Sequence, residues 1–255
     1  MSGPETSTDA ENDHRDLHSF WWLYLPILFF CCRYAIALFT NATTGVESWF
    51  RDEHGIVENL TVLLLVGALF CTLSVIVRFG KSLDPEFRFF LVVYCLGCIY
   101  FAGEEASWGQ HWFGWETGEF FLKINSQQET NFHNTVIWLD RIPKGIVSFL
   151  IFVGGVVIPI LYLCKSWKID FQRRFWWIYP TLICTPTAIF ASVTTWPSKI
   201  ERYSGWNFYF SQAQETKELY IAYFILLFIV SLILRLPLSR QISGAVTGIR
   251  TGNNV

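Results

Sequence analysis

The chain has 255 residues, of which 52% are apolar, 18% are aromatic and only 16% are charged. Charged residues make up about a quarter of an ordinary soluble protein, so this composition argues against a soluble domain. The formal net charge of −2 provides no basic excess for a nucleic-acid partner, and we expect none. The composition instead predicts an integral membrane protein whose partners are membrane lipids.

Long uncharged stretches recur along the chain and predict membrane-spanning helices. A span needs about 20 predominantly apolar residues, because each helical residue rises about 1.5 Å across a hydrocarbon core about 30 Å thick. Inside lipid, a helix satisfies its own backbone hydrogen bonds. We therefore predict an all-α, polytopic membrane helix bundle, with six spans near residues 20–40, 56–79, 87–105, 145–164, 175–196 and 218–236.

The two ends of the chain are predicted to lie outside this transmembrane domain of residues 19–236. Residues 1–18 are polar, acidic and rich in Ser and Thr, which is typical of a disordered tail and unlike the basic start of a cleaved signal peptide. Residues 237–255 also predict a loose tail. The connections on the side of both termini hold more Lys and Arg than the opposite set, so the positive-inside rule places both tails in the cytoplasm.

Two of the predicted spans contain uncharged runs too short for the bilayer. Phe89–Gly103 and Leu219–Leu234 each fall well below the roughly 20 residues that a span needs. Each run has an arginine at its cytoplasmic end, which can snorkel on its long stem, and glutamates at its outer end, which cannot reach as far. Either the bilayer thins locally, or Glu104, Glu105 and Glu218 lie at or just below the outer membrane border, facing protein.

The second span carries an acid in its first turn. Glu58, with Asn59 and Thr61 beside it, begins an otherwise apolar run. An ionisable group at that depth is costly, so it usually faces the interior of the bundle and marks a functional site. The alternative interpretation is that Glu58 and Glu104 only pair with arginine or lysine and fix the packing of the helices.

Residues 104–135 form an outer polar segment that is too rich in side-chain chemistry for a simple linker. Its tryptophans and phenylalanines suit a short helix lying in the membrane interface after the third span. Its second half gathers amides and charges between Asn125 and Asn134. In a helix, Glu129 and His133 would be i,i+4 neighbours, a spacing that lets two side chains share a metal ion or a proton.

Together these residues define a candidate site. Carboxylates beside a histidine can hold a divalent metal ion or perform general acid–base chemistry, and neutral amides can orient a substrate. The predicted catalytic residues are Glu105, His133 and Glu58. The predicted substrate contacts are Ser107, Gln110, Asn131 and Trp108. The predicted ligands of a divalent metal ion, whose identity stays open, are Glu104, Glu129 and Glu218.

The order of these residues resembles a signature of uncharacterised multi-pass bacterial membrane proteins. Its first half, E-E-x-S-W-G-Q, spans Glu104–Gln110, and its second half, N-x-Q-x-E-x-N-x-H-N, spans Asn125–Asn134. The resemblance extends to the Glu58–Thr61 start of the second span and to Glu215–Glu218 at the start of the last one. It implies a protein of the bacterial inner membrane in which these residues act as a unit at the periplasmic side, and it implies no particular reaction.

Three functions fit the sequence. The first is a membrane-embedded enzyme, metal-dependent or acid–base, that acts on a lipid or other amphiphile and is a possible hydrolase. The second is an assembly or binding subunit without catalysis. The third is a proton- or cation-coupled transporter, which is disfavoured because the acids stay at one border and the inner halves of the spans offer no acid. The cysteines fall within or beside the predicted spans, so we expect free thiols rather than disulfides.

Overall fold

The computed structural model describes residues 17–39, 55–125, 130–131, 137–164, 175–204 and 213–252. Every regular element within these ranges is helical. The α-helices, in chain order, are α1 Leu25–Phe39, α2 Ile56–Phe79, α3 Pro85–Glu105, α4 Gln110–Phe113, α5 Glu119–Ile124, α6 Ile137–Phe152, α7 Ile158–Leu163, α8 Thr185–Val193, α9 Trp196–Ser204 and α10 Ala213–Gly252. Turns of π-helix precede α1 at Phe20–Tyr24 and join α6 to α7 at Val153–Val157.

Four helices in the described ranges are long and apolar enough to cross a bilayer. They are Ile56–Ser82, Pro85–Glu105, Ile142–Leu163 and Gln214–Leu236. Shorter apolar helices, Phe20–Ile36 and Leu182–Val193, occupy the places of the first and fifth predicted spans. The all-α prediction is confirmed for the described residues, and four of the predicted spans match helices of sufficient length. The total of six spans and the interfacial depth of α4 and α5 stay predictions.

The outer surfaces of the long helices are apolar. Val77 is 83% exposed, Phe89 71%, and both Phe70 and Phe149 66%. A soluble monomer rarely exposes contiguous apolar patches of the size that such side chains form together. This pattern is what a helix presents to lipid, and it supports membrane insertion independently of helix length.

The last long helix, α10, is the centre of the bundle. Buried residues make up 67% of its most apolar window, against 17–33% for the other three candidate spans. It packs against α2 and α8, and α2 also packs against α3. One core cluster joins α8 to α10 and includes Ala188 and Phe224. The second joins α2, α3 and α10 and includes Ala68, Leu91 and Ile229.

A glycine allows the turn between α6 and α7 to approach this centre closely. A β-carbon placed on Gly155 would lie 2.4 Å from Cβ of Ala188 and 2.6 Å from Cε2 of Phe224. No real side chain fits at those distances, so Gly155 sets how near α6 and α7 come to α8 and α10. Small residues have this role wherever helices pack tightly in a membrane.

The fifth predicted span is shorter as a helix than its apolar run. Pro180 has no backbone N–H and restricts the residue before it, so helical structure begins again only at Leu182–Cys184 and continues as α8. The carbonyl left at Tyr179 accepts a hydrogen bond of 2.9 Å from Nη1 of Arg235, whose Nε donates to the carbonyl of Ser231. Arg235 is 3% exposed, so it ties α10 to this break instead of snorkelling outward as expected.

Two further predictions concern the chain ends and the thiols. The backbone of α10 continues to Gly252, past the predicted end of the last span, and the cytoplasmic position of residues 237–255 stays a prediction. The predicted N-terminal tail lies almost wholly outside the described residues. All seven cysteines are free, as their positions in the spans predicted.

Candidate functional site

The ends of several helices meet at one end of the bundle and bring acidic side chains together. Because neighbouring helices run in opposite directions, the last residue of α3, Glu105, lies beside the first turn of α10. There it meets Glu215 and Glu218, and one carboxylate oxygen from each of the three lies within 4.8 Å of the others. These three residues are called the carboxylate cluster below. The i,i+3 spacing of Glu215 and Glu218 places both on the same face of α10.

Glu218 has both an ion pair and a hydrogen bond in the carboxylate cluster. Its Oε1 lies 2.9 Å from Nζ of Lys144, in the second turn of α6, and accepts a hydrogen bond of 2.9 Å from Nε2 of Gln214. Glu218 is 4% exposed, so both contacts stabilise a charge that would otherwise be buried at high cost. The N-terminus of α10 also favours a carboxylate, because the helix dipole is positive at that end.

Glu105 lies in a much less favourable place. It is 7% exposed, and no described residue donates a hydrogen bond to its carboxylate. It ends α3, where the helix dipole is negative and opposes an anion. Glu215, Glu218 and Glu58 act on it as further negative charges, and Lys144 is the opposing positive charge. A buried carboxylate in these surroundings is costly unless a cation or a proton accompanies it.

A cavity extends from the carboxylate cluster along the bundle between α3, α6–α7 and α10. Its volume is about 630 Å³, within the range of sites for drug-sized ligands. Along α3 it runs from Phe90 to Glu105, which corresponds to about 22 Å at 1.5 Å per residue. Most of its wall is aromatic and aliphatic, including Tyr94, Phe101, Phe224 and Phe228.

The polar part of this cavity is confined to one end. Glu104, Glu105 and Glu218 line it there together with Lys144 and Lys217. Glu215 of the cluster adds a further carboxylate, so acids outnumber ammonium groups among the described residues at this end. The cavity therefore combines a long apolar section with a small acidic one. These two sections are complementary to the apolar chain and the polar head group of an amphiphile.

The segment after α3 turns back sharply on the end of that helix. Ser107 and Trp108 both have positive φ angles, 42° and 55°, a backbone region that residues other than glycine seldom occupy. The indole Nε1 of Trp108 donates a 2.7 Å hydrogen bond to Oε1 of Glu104, and the Trp108 ring lies against Gly103, where a β-carbon would be 3.0 Å away. Glu104 thus helps to hold this turn and lies outside the carboxylate cluster, although we predicted it as a metal ligand.

A buried set of amides and hydroxyls continues the turn. Asn131 is 1% exposed; its Nδ2 donates to Oγ of Ser107 at 3.1 Å, and its Oδ1 accepts from Nδ2 of Asn125 at 2.7 Å. Gln110 donates to Oγ1 of Thr117 and accepts from the backbone N–H of Thr130, both at 2.7 Å.

The predicted substrate contacts therefore have structural partners. None of Ser107, Trp108, Gln110 and Asn131 lines the cavity, and the structure shows them holding the segment together.

The remaining predicted site residues divide into two groups. Glu58, in the first turn of α2, lies close enough for its charge to act on Glu105, and its neighbour Asn59 accepts a 3.0 Å hydrogen bond from Nε1 of Trp112. Glu129 and His133 lie outside the described residues, so their predicted i,i+4 pairing is not placed relative to the cluster.

Sequence reasoning did not select Lys144, which pairs with Glu218 in the site. The available signal was its position directly before a long apolar run, at the same predicted border as the acids. Comparison of the chain with protein-family models, with curated proteins and with solved structures finds no match, so the case for a function depends on the site itself.

Proposed function

We propose that this chain is a multi-pass membrane protein that binds a lipid or other amphiphile and acts on its polar head group as an enzyme. In this proposal the apolar part of the ligand lies in the cavity between α3, α6–α7 and α10, and the head group lies at the carboxylate cluster. The protein would span a bacterial inner membrane six times, with both termini in the cytoplasm and the cluster facing the periplasm.

The observation that carries this proposal is the continuity of the apolar cavity with the acidic end. A purely structural cluster of charges needs no groove beside it, whereas this cavity is open on one side, where Val93 is 49% and Leu150 60% exposed. Here a volume of about 630 Å³ connects aromatic walls to Glu105, Glu218 and Lys144. The acidic surface lies at one end of the cavity and the apolar surface extends from it, so a ligand with a polar head group and an apolar chain could contact both.

The chemistry available at the acidic end is general acid–base catalysis. Glu105 is buried, close to other acids and without a hydrogen-bond donor among the described residues, so a proton or water molecule beside it would interact strongly. Glu218 is held by Lys144 and Gln214, which suits a group that positions the ligand. This assigns proton transfer to Glu105 and positioning to Glu218.

Amphiphile binding can be tested by comparing the same substitution at two glycines, one that lines the cavity and one that lies outside it. Gly97 lines the cavity and Gly145 lies on the exposed surface of α6, and a β-carbon at either position would meet nothing within 4 Å. Gly97→Leu should therefore narrow the cavity without a backbone clash, while Gly145→Leu adds the same side chain outside the cavity.

We expect the parent protein and Gly145→Leu to retain amphiphile through purification, measured by native mass spectrometry, and Gly97→Leu to lose it. Equal retention by Gly97→Leu and Gly145→Leu would refute binding in this cavity.

Turnover needs a second measurement. Protein in vesicles of mixed lipid composition is incubated, and the lipids are then quantified by mass spectrometry. We expect the parent to change the head group of at least one lipid class, and Glu105→Gln to bind amphiphile but leave every class unchanged. Activity that is unaffected by Glu105→Gln would refute the role of that residue.

A binding subunit without catalysis is the second candidate, because the Lys144–Glu218 pair already neutralises part of the cluster. Retention of amphiphile by the parent without change in any lipid class would favour it.

A further inference from the structure

We propose that the carboxylate cluster, Glu105, Glu215 and Glu218, binds a divalent cation of the oxygen-preferring kind, such as Mg²⁺, Ca²⁺ or Mn²⁺. This inference rests on the proposed function, because it assigns a cofactor to the same acidic end of the cavity. All three side chains offer carboxylate oxygens, the ligands that these hard cations prefer over nitrogen and sulfur.

The spacing of the oxygens fits one ion. Carboxylate oxygens lie about 2.0–2.6 Å from Mg²⁺ or Ca²⁺, so two ligands on opposite sides of one ion are up to about 5 Å apart. One oxygen from each cluster residue lies within 4.8 Å of the other two, which falls inside that limit. Two of the ligands are one turn apart on α10 and the third ends α3, so rotation of side chains alone can bring all three around an ion.

Glu105 provides the second and independent indication of a ligand. It is 93% buried, it lines the cavity, and no described residue donates a hydrogen bond to it. A carboxylate in that position normally has a protein donor, an ordered water molecule or a metal ion as its partner. The negative end of the α3 dipole raises the cost of leaving its charge without one.

Lys144 explains how the cluster is stable before a cation binds. Its ammonium group lies 2.9 Å from Oε1 of Glu218 and is the cation that the described residues place in an ion pair with this cluster. A divalent ion would supply more positive charge at the same place, so the ion and Lys144 compete for Glu218. Removal of the lysine should therefore strengthen binding of the ion, whereas a site built as a simple ion pair would gain nothing from its removal.

The cavity leaves the ion accessible from one side. Glu105 and Glu218 both line it, so an ion held between them would keep coordination positions open toward the cavity. An ion with open positions binds water and the oxygen atoms of a head group, and it favours a ligand with a phosphate or hydroxyl group next to its apolar chain.

The test measures binding of Mn²⁺ by electron paramagnetic resonance in detergent without added lipid. We expect one bound ion per chain in the parent protein. Glu105→Gln should weaken binding by about tenfold or more, since it removes one ligand. Lys144→Gln should strengthen it by about two- to tenfold, the range of an ion pair that is partly exposed to solvent. Glu119→Gln is the matched control, because Glu119 lies in an exposed pair with Lys123 away from the cavity, and it should change nothing.

The possible outcomes separate this inference from the proposed function. Absence of Mn²⁺ binding in a parent that retains amphiphile would overturn the cation site and leave amphiphile binding in place. Weaker binding in Lys144→Gln would also overturn the site. If Glu105→Gln fails to fold, the lysine variant still decides the question through the direction of its effect. Mn²⁺ binding with no retained amphiphile would refute the proposed function alone.

Discussion

The two ends of the central span Gln214–Leu236 hold buried charge in opposite ways. At one end Arg235 donates to two backbone carbonyls, at Ser231 and Tyr179, and connects α10 to the break before α8. At the other end Glu218 meets two further carboxylates beside a cavity of about 630 Å³. The first arrangement is what a fold needs. The second places like charges together, which stabilises nothing by itself and is typical of a functional site.

The largest effect on stability should come from the arginine end. Arg235→Leu removes the donor to the Tyr179 carbonyl, so the free energy of unfolding should fall by about 2–4 kcal/mol. Thermal unfolding in detergent measures it. The matched control is Arg88→Leu, at an exposed position in the first turn of α3, which should change the value by less than about 0.5 kcal/mol. If Arg235→Leu and Arg88→Leu both change the free energy of unfolding only slightly, the hydrogen bonds of Arg235 do not stabilise the fold.

The next effect concerns the close approach that shapes the cavity. Gly155→Ala places a methyl group 2.4 Å from Cβ of Ala188, so α6 and α7 must shift away from α8 and α10. We expect a loss of about 1–3 kcal/mol in the free energy of unfolding, the usual cost of overpacking. Gly145→Ala, with nothing within 4 Å of the added carbon, should be neutral or slightly stabilising. A neutral Gly155→Ala would contradict the described packing.

A smaller effect is expected in the turn after α3. Trp108→Phe keeps an aromatic ring against Gly103 but removes the indole N–H that Glu104 accepts from. Because Trp108 is 43% exposed, we expect a loss of only about 1 kcal/mol, measured by thermal unfolding. Trp115→Phe serves as a comparison with a similarly exposed indole, for which the described residues provide no such hydrogen bond. Equal effects of the two substitutions would show that the Glu104 bond adds little.

The smallest change in the free energy of unfolding should come from the acidic end of the span. We expect it to be opposite in sign to the change at the arginine end. Glu105→Gln removes a buried negative charge that faces other carboxylates, so without divalent cation the free energy of unfolding should rise by up to about 1 kcal/mol. Added Mn²⁺ should stabilise the parent and leave Glu105→Gln nearly unchanged, because a ligand that binds only the folded state raises its stability. A loss above about 2 kcal/mol without cation would mark Glu105 as a structural residue, like Arg235.

The helical fold and the grouping of acids at one set of helix ends could be predicted from local sequence. Which of these acids form the carboxylate cluster could not. Glu105 and Glu218 were selected because their apolar runs are short, and the structure places them together. Glu104 was selected by the same reasoning, yet it binds Trp108. The two adjacent acids differ only in the direction in which α3 turns each side chain, and that direction depends on what the helix packs against.

The amides and the lysine show the same limit. Ser107, Gln110 and Asn131 have the residue types of a binding site, but their partners are one another and nearby polar groups of the same segment. Lys144 has the residue type of a loop charge, but it reaches Glu218 at 2.9 Å. Residue type and spacing along the chain do not distinguish these cases, because each depends on a contact between distant segments.

The sequence by itself determined that this protein is built of long apolar helices with acids gathered at one set of helix ends. Hydropathy, charge placement and the rise of a helix are local properties, so composition and run length are sufficient for that conclusion. Only the tertiary structure decided that Glu105, Glu215 and Glu218 share one place with Lys144 at the end of an apolar cavity. That outcome depends on the rotation of α3, α6 and α10 about their axes, which close contacts such as the one at Gly155 impose.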